Sequence, residues 1–292
     1  FFCNKFNIDN IFFLFNTMSE TIQMKEGIIV ETDVSSFARI TSVTQESSHF
    51  AQIILTALPI FLVSFVQRKV IFTFVIDRIM FAIMLFILLL STSSSGLISV
   101  IILLFIFTLI SYLNNICRVR YIVLFSILLS FVFAALYFNN PLIQSFFYEM
   151  LFEKMGTGSA LERLYGITTA WGYFLKYPIL GIGWGVATSH DLIVLILVNS
   201  GLVGFFAFFS MVISIFSDSM KNVTKLHKIS FSGKKTLFVL LNGFIISFTT
   251  YLITCAFVEF TWYLIHFYFI IGIMIAINIY ITNIINNKKY EH

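Results

Sequence analysis

Apolar runs of spanning length, broken by short polar stretches, set the pattern of this chain. They lie at about 50–66, 70–90, 97–116, 121–138, 191–215, 236–256 and 260–282. Each is near the length that carries an α-helix across roughly 30 Å of hydrocarbon at 1.5 Å per residue. The pattern therefore predicts an all-α fold, a polytopic transmembrane bundle of about seven spans. Phe6 to Asn16 fits the end of one more span. The chain starts on Phe1 rather than Met, and it is expected to lack an N-terminal part.

The division that follows places a span end and an extramembrane segment in 1–49, four spans in 50–138, and a large loop in 139–190. Three spans fill 191–282, and a tail occupies 283–292.

The large loop carries structure of its own. Ser159 and Glu162 fit a capping box, and Leu161, Leu164, Thr168, Trp171 and Leu175 then recur at helical spacing. Pro178 ends that helix, because the residue before a proline avoids the α region. Too short and polar to span, the helix is expected to lie at the membrane surface with Trp171 on its apolar side. Arg163 falls off that stripe, towards whatever the loop covers.

Composition excludes other classes. Hydrophobic residues make up 59% of the 292 residues and charged residues only 11%. Mean hydropathy is +0.96. A soluble domain carries about a quarter charged residues. A water-soluble globule, a disordered chain and a nucleic-acid-binding domain are all excluded. Cys3, Cys117 and Cys255 are scattered, so neither a metal cage nor a disulfide framework is expected.

Charge orients the bundle. Arg68 and Lys69, then Arg118 and Arg120, then Lys221, Lys225, Lys228, Lys234 and Lys235, then Lys288 and Lys289 fall in loops on one face. These are eleven of the 18 positive residues, and the positive-inside rule makes that face cytoplasmic. Residues 17–49 and 139–190 then face outward, with most of the acids. Asp77–Arg78, inside the second span, reads as a neutralising pair, or as a sign that the span begins at Ile79. A buried functional pair is the sharper alternative.

Several residues in the outward segments carry candidate chemistry. Gly181, Gly183 and Gly185 alternate after Pro178. No βαβ unit surrounds them, so they are no dinucleotide fingerprint. They allow a tight backbone path, a close approach to a ligand or a nest for an oxyanion. His190 and Asp191 stand where the loop meets a span, and Asp191 suits the N-terminus of that helix. Glu259, Tyr263 and His266 share a helix face that reads as interface anchoring.

The order of these features resembles the O-antigen polymerase and O-antigen ligase-like family of polytopic envelope proteins. The resemblance is carried by Arg163, Ala170 and Trp171, the Pro178–Gly185 segment, His190 and the Gly201–Gly204 run. It extends to Arg39 followed by Glu46-Ser47-Ser48, where Ser47 replaces the family's proline, and to the Ser91–Gly96 turn, which lacks the family's arginine. The likeness covers roughly 31–215.

The resemblance implies a metal-independent and cofactor-independent glycosyltransferase of the cytoplasmic membrane. It would polymerise undecaprenyl-pyrophosphate-linked oligosaccharide repeats at the outer face, for O-antigen, capsule or exopolysaccharide. A chain-length regulator and a repeat-unit flippase are the implied partners, beside membrane lipids. Arg39 and Arg163 would hold the departing pyrophosphate, since a guanidinium stays charged and offers a planar fork to phosphate oxygens. His190 would accept the proton of the acceptor hydroxyl, as imidazole titrates near neutrality when unperturbed. His49 is a weaker candidate for that task. Glu46, Gly181, Gly183, Gly185 and Trp171 would line the substrate site. Ligase-type transfer to another acceptor is the alternative, and a transporter is a third reading. No internal repeat supports transport.

Overall fold

The computed structural model describes residues 47–69, 71–90, 94–116, 138, 144, 158–228, 233–257 and 265–289. These residues form seven helices and no strand: α1 (Ser47–Gln67), α2 (Phe74–Leu90), α3 (Ser94–Leu113), α4 (Gly158–Lys176), α5 (Leu192–Lys228), α6 (Lys234–Phe257) and α7 (Ile265–Lys289). The expected span at 121–138 lies outside the described residues. The other six each coincide with a helix, and α4 occupies the loop helix that the capping box and Pro178 predict.

Three helices are long and apolar enough to cross a membrane: Leu192–Lys228, Lys234–Ala256 and Phe267–Asn286. Ala51–Gln67 and Ile98–Leu113 are apolar but shorter. With this length and composition the chain is an integral membrane protein of helices.

Helix α6 is the centre. It packs on α1, α3, α5 and α7, and Val239, Leu241, Ile245, Ile246 and Phe248 are all fully buried. A helix apolar on every side can only be surrounded by other helices or by lipid. Its tightest neighbour is α1. A Cβ on Gly243 would meet the Ile60 Cα at 2.7 Å, and one turn on Ser247 donates from Oγ to the Thr56 carbonyl at 2.5 Å. Small residues that let helix backbones touch are what hold helices together without a hydrophobic drive.

Buried amides tie the same ends of several helices. Gln67 donates to the Ile116 carbonyl at 2.6 Å. Asn114 donates to Asn242 Oδ1 at 2.6 Å, and its own carbonyl lies 3.2 Å from His227 Nε2. Asn222 donates to Asn278 Oδ1 at 3.0 Å, and Asn278 donates to Ser219 Oγ at 2.8 Å. The ends of α1, α3 and α5 and the start of α6 therefore meet at one end of the bundle, and α5 there is bonded to the middle of α7. Arg68, Lys69, Lys221, Lys225, Lys228, Lys234 and Lys235 all belong to that end. Two of the positive groups read from the sequence thus share one end, while Arg118 and Arg120 lie outside the described residues.

Asp77 and Arg78 are not a neutralising pair. The buried Asp77 carboxylate accepts the Ile71 and Phe72 amides at 2.7 and 3.2 Å and the Ser64 hydroxyl at 3.0 Å. It closes the turn between α1 and α2. Arg78 instead lies over the Phe65 and Phe74 rings, 4.5 and 4.7 Å from their centroids. Helix α2 starts at Phe74, with Thr73 Oγ1 accepting the Ile76 amide at its N-terminus, rather than at residue 70 or 79.

Two boundaries also differ from expectation. Helix α5 runs on to Lys228, well past 215, and α7 extends to Lys289 through most of the expected tail. The α5 extension keeps an apolar period: Phe216, Met220, Val223 and Leu226 recur at helical spacing and pack against the core.

Candidate functional site

Helix α4 packs along the first part of α5. The stripe Leu161, Leu164, Thr168, Trp171 and Leu175 is exposed, while the opposite face is covered: Ala170 is buried, and Arg163, Gly166, Ile167 and Phe174 are half-buried. Arg163 therefore sits on the packed face, as its place off the apolar stripe predicts. Trp171 stays outside, tilted against Phe174 with ring centroids 5.2 Å apart. The helix does not lie free on a surface; a helix neighbour takes one side of it.

After Tyr177, whose amide donates to the Tyr173 carbonyl at 3.0 Å, the chain turns at Pro178 and meets α5 where that helix is broken. Gly201 has φ 65° and ψ −167°, inside an otherwise continuous helix. This conformation is essentially restricted to glycine. The break deprives Leu202 and Val203 of their usual acceptors, the Val198 and Asn199 carbonyls. The turn supplies substitutes on both sides. Leu202 and Val203 donate to the Pro178 and Ile179 carbonyls at 2.9 and 3.2 Å, while Ile182 and Gly183 donate to the Val198 and Asn199 carbonyls at 2.9 and 3.0 Å. Two helix bonds are replaced by four bonds to the turn, so the break leaves none of these groups unpaired.

Two glycines make that contact possible. A Cβ on Gly181 would come within 2.6 Å of the Ser200 amide nitrogen and the Val198 carbonyl oxygen, and Gly181 has φ 70°. A Cβ on Gly201 would fall on the Ile179 carbonyl and 2.6 Å from the Leu180 nitrogen. The close approach anticipated at Gly181 is thus made to the backbone of α5. Gly183 and Gly185 also have positive φ, but nothing crowds a Cβ at Gly185, and Gly183 has only Val186 at 3.5 Å. Their backbone faces the exposed side of the turn.

Asn199 fastens the next stretch. It is 3% exposed. Its Oδ1 accepts the Ala187 amide at 3.1 Å, and its Nδ2 donates to the Ala187 and Leu195 carbonyls, both at 3.0 Å. The chain then enters α5 through Asp191, whose Oδ1 accepts the Val194 amide at 3.0 Å. That is the N-terminal role its position suggests. Ser189 is buried and its Oγ accepts the Asp191 amide at 3.3 Å, which leaves His190 on the exposed crest between them.

The structure brings the α4 face that carries Arg163 against the segment that leads to His190 at one point, Gly166. A Cβ on Gly166 would lie 4.0 Å from the Thr188 carbonyl. Arg163 is one helical turn earlier on that same face, and His190 is two residues beyond Thr188. A half-buried guanidinium and an exposed imidazole beside a rigidly pinned loop can bind an anion and take a proton. Arg39 and Glu46 lie outside the described residues, as do Glu259 and Tyr263. Among the described residues no three His, Cys, Asp or Glu side chains are grouped so as to hold a metal ion.

Sequence reasoning did not single out Asn199 or the break at Gly201. The signal was present: Asn199-Ser200-Gly201 interrupts an apolar run with a buried amide, a hydroxyl and a residue without a side chain. A polar residue inside a span is expensive unless it is bonded, so it marks a contact.

Residues 79–209 match a family model described as O-antigen ligase. The match includes α4, the glycine turn, His190 and the broken first part of α5. This match agrees with the likeness of the chain's motifs to the O-antigen ligase and polymerase-like family. Neither a curated protein nor a solved structure matches the chain.

Proposed function

We propose that this protein transfers glycan from an undecaprenyl-pyrophosphate-linked oligosaccharide to a sugar hydroxyl, extending a polymer of repeat units at the outer face of the cytoplasmic membrane. The observation that supports the reading is the contact of α4 at Gly166 with the Thr188 carbonyl, which sets the segment carrying Arg163 beside the one carrying His190 inside the family-matched segment. In the reaction the acceptor hydroxyl attacks the anomeric carbon, the bond from that carbon to the pyrophosphate oxygen breaks, and undecaprenyl pyrophosphate departs. His190 takes the hydroxyl proton. Arg163, with Arg39 from the preceding outward segment, stabilises the negative charge that builds on the leaving group, and charge stabilisation of this kind is usually the largest single catalytic contribution. Trp171 and Glu46 form the saccharide side, and Gly181 positions the turn.

The expected seven-span topology is in keeping with the outward placement. The lysine-rich end of the bundle is the cytoplasmic one by the positive-inside rule, and α5 begins at the other end. A chain-length regulator and a repeat-unit flippase fit as partners in that setting. A ligase reading, in which the finished glycan moves to a different acceptor, is favoured by the description of the matching family. The glycan profile of a deletion strain separates the two. Loss of a polymerase leaves single repeats on the lipid carrier, and loss of a ligase leaves long lipid-linked polymer. A deletion strain with unchanged glycan contradicts both.

A further inference from the structure

Beyond the Gly201 break α5 runs on from Leu202 to Lys228, about 40 Å at 1.5 Å per residue, against ~30 Å of hydrocarbon. Part of it must stand outside the bilayer. Asp218, Lys221, Lys225 and Lys228 hold its C-terminal end in water or headgroups. Counting back the roughly 20 residues that cross the hydrocarbon reaches Val198, beside the Gly201 break. Burial changes at the same point. Leu195 to Asn199 are buried, whereas Leu202, Val203 and Phe206 are exposed, as lipid-facing residues of a span must be.

The four backbone bonds described above fix the glycine turn at this level. Its outer surface is apolar: Ile179 is 66% exposed, Leu180 72%, and Tyr177, Trp184 and Val186 are exposed beside them. This patch continues onto Leu202, Val203 and Phe206. Tyr and Trp favour the headgroup boundary. Lys176 Nζ lies 5.9 Å from the centre of the Tyr173 ring, so its charge can reach back to the polar side. Irregular backbone is tolerated at membrane depth only where its polar groups are bonded, and the turn's Ile182 and Gly183 amides and Pro178 and Ile179 carbonyls meet that condition.

We propose that the 177–186 turn is a membrane-insertion tip, sunk into the headgroup and acyl boundary of the leaflet opposite the lysine-rich end. It holds the Gly201 break at the bilayer surface and keeps Arg163 and the Thr188–His190 loop just above it. The occupant of this surface is bilayer lipid. The inference depends on α5 crossing the membrane and not on the transfer reaction, so it stands or falls separately.

The test uses the full chain in phosphatidylcholine vesicles, with W171F and W262F leaving Trp184 as the one tryptophan. Lipids carrying a nitroxide near the headgroup are expected to remove most of the Trp184 emission. Labels near the acyl terminus should remove less, and aqueous iodide almost none. Quenching by iodide without quenching by lipid labels overturns the proposal. So does an emission untouched by lipid labels that shifts when lipid-linked oligosaccharide is added, which would make the patch a sugar-stacking platform. A second measurement keeps all the tryptophans. With the native cysteines replaced by alanine, Leu180→Cys should lose most of the reaction with a membrane-impermeant maleimide that Thr188→Cys shows from the turn's side of intact vesicles. Equal labelling at both positions overturns the proposal.

Discussion

Gly201→Ala is the most informative single change, because its cost can be worked from the geometry. The φ of 65° and ψ of −167° lie where only glycine is at ease, so an alanine there costs about 1–3 kcal/mol in backbone strain. Its Cβ would also collide with the Ile179 carbonyl, which is bonded backbone and cannot swing aside. Separating the strands of contact breaks the bonds from Leu202 to Pro178 and from Val203 to Ile179. At about 1 kcal/mol each, this brings the total to roughly 3–5 kcal/mol. Gly185→Ala is the internal reference. It too has a positive φ of 80°, but nothing lies within 4 Å of a Cβ there, so only a backbone cost of about 1–2 kcal/mol applies. The assay is the thermal unfolding midpoint of the purified protein in detergent. With about 2–4 °C per kcal/mol, Gly201→Ala should lose roughly 6–20 °C, and Gly185→Ala clearly less. If the two variants melt together, the docking of the turn into the broken helix is not what holds this region.

Asn199→Ala removes both partners of Ala187, and should cost about 2–3 kcal/mol and raise protease cleavage within 184–190. Unchanged cleavage would show that the amide does not pin the loop. Asp77→Ala strips the acceptor from two amides and a hydroxyl and should destabilise by about 2–4 kcal/mol, while glycan transfer per folded molecule stays as it was; selective loss of transfer would restore the functional reading of that charge. A double-mutant cycle of Asn114→Ala and Asn242→Ala should return a coupling of about 0.6–1.7 kcal/mol, and no coupling would mean the buried amides do not join α3 to α6. Arg163→Ala should reduce transfer by roughly 100-fold or more and Arg163→Lys should recover part of it, with membrane content measured by blotting to exclude loss of protein.

Much of the architecture could be read from the chain because a bilayer imposes one dominant rule. Apolar length marks the helices, and the lysines mark an end. Helix α4 was legible for a different reason: Ser159, Glu162 and Pro178 are local stop and start signals that need no tertiary partner. The break at Gly201 was marked only by the polar Asn199-Ser200-Gly201 interruption of the apolar run, and the glycine's φ depends on a turn 20 residues earlier in the chain. For the same reason the sequence left Gly181 between a tight backbone path and a close approach to a ligand, and the contact it makes is with the backbone of α5. Arg163 was placed on the correct face because helical periodicity alone decides it. Its nearness to the Thr188–His190 loop is a packing result that no spacing rule contains.

The account rests on a guanidinium and an imidazole acting together on a lipid-pyrophosphate donor. The most direct measurement reconstitutes the purified protein in liposomes with undecaprenyl-pyrophosphate-linked repeat units, without any ion gradient or nucleotide sugar, and resolves the products on a gel. The expected result is a ladder of lengthened glycan that disappears in Arg163→Ala and in His190→Ala while both variants remain folded in the membrane. A full ladder from both variants, or none from the unaltered protein, would contradict it.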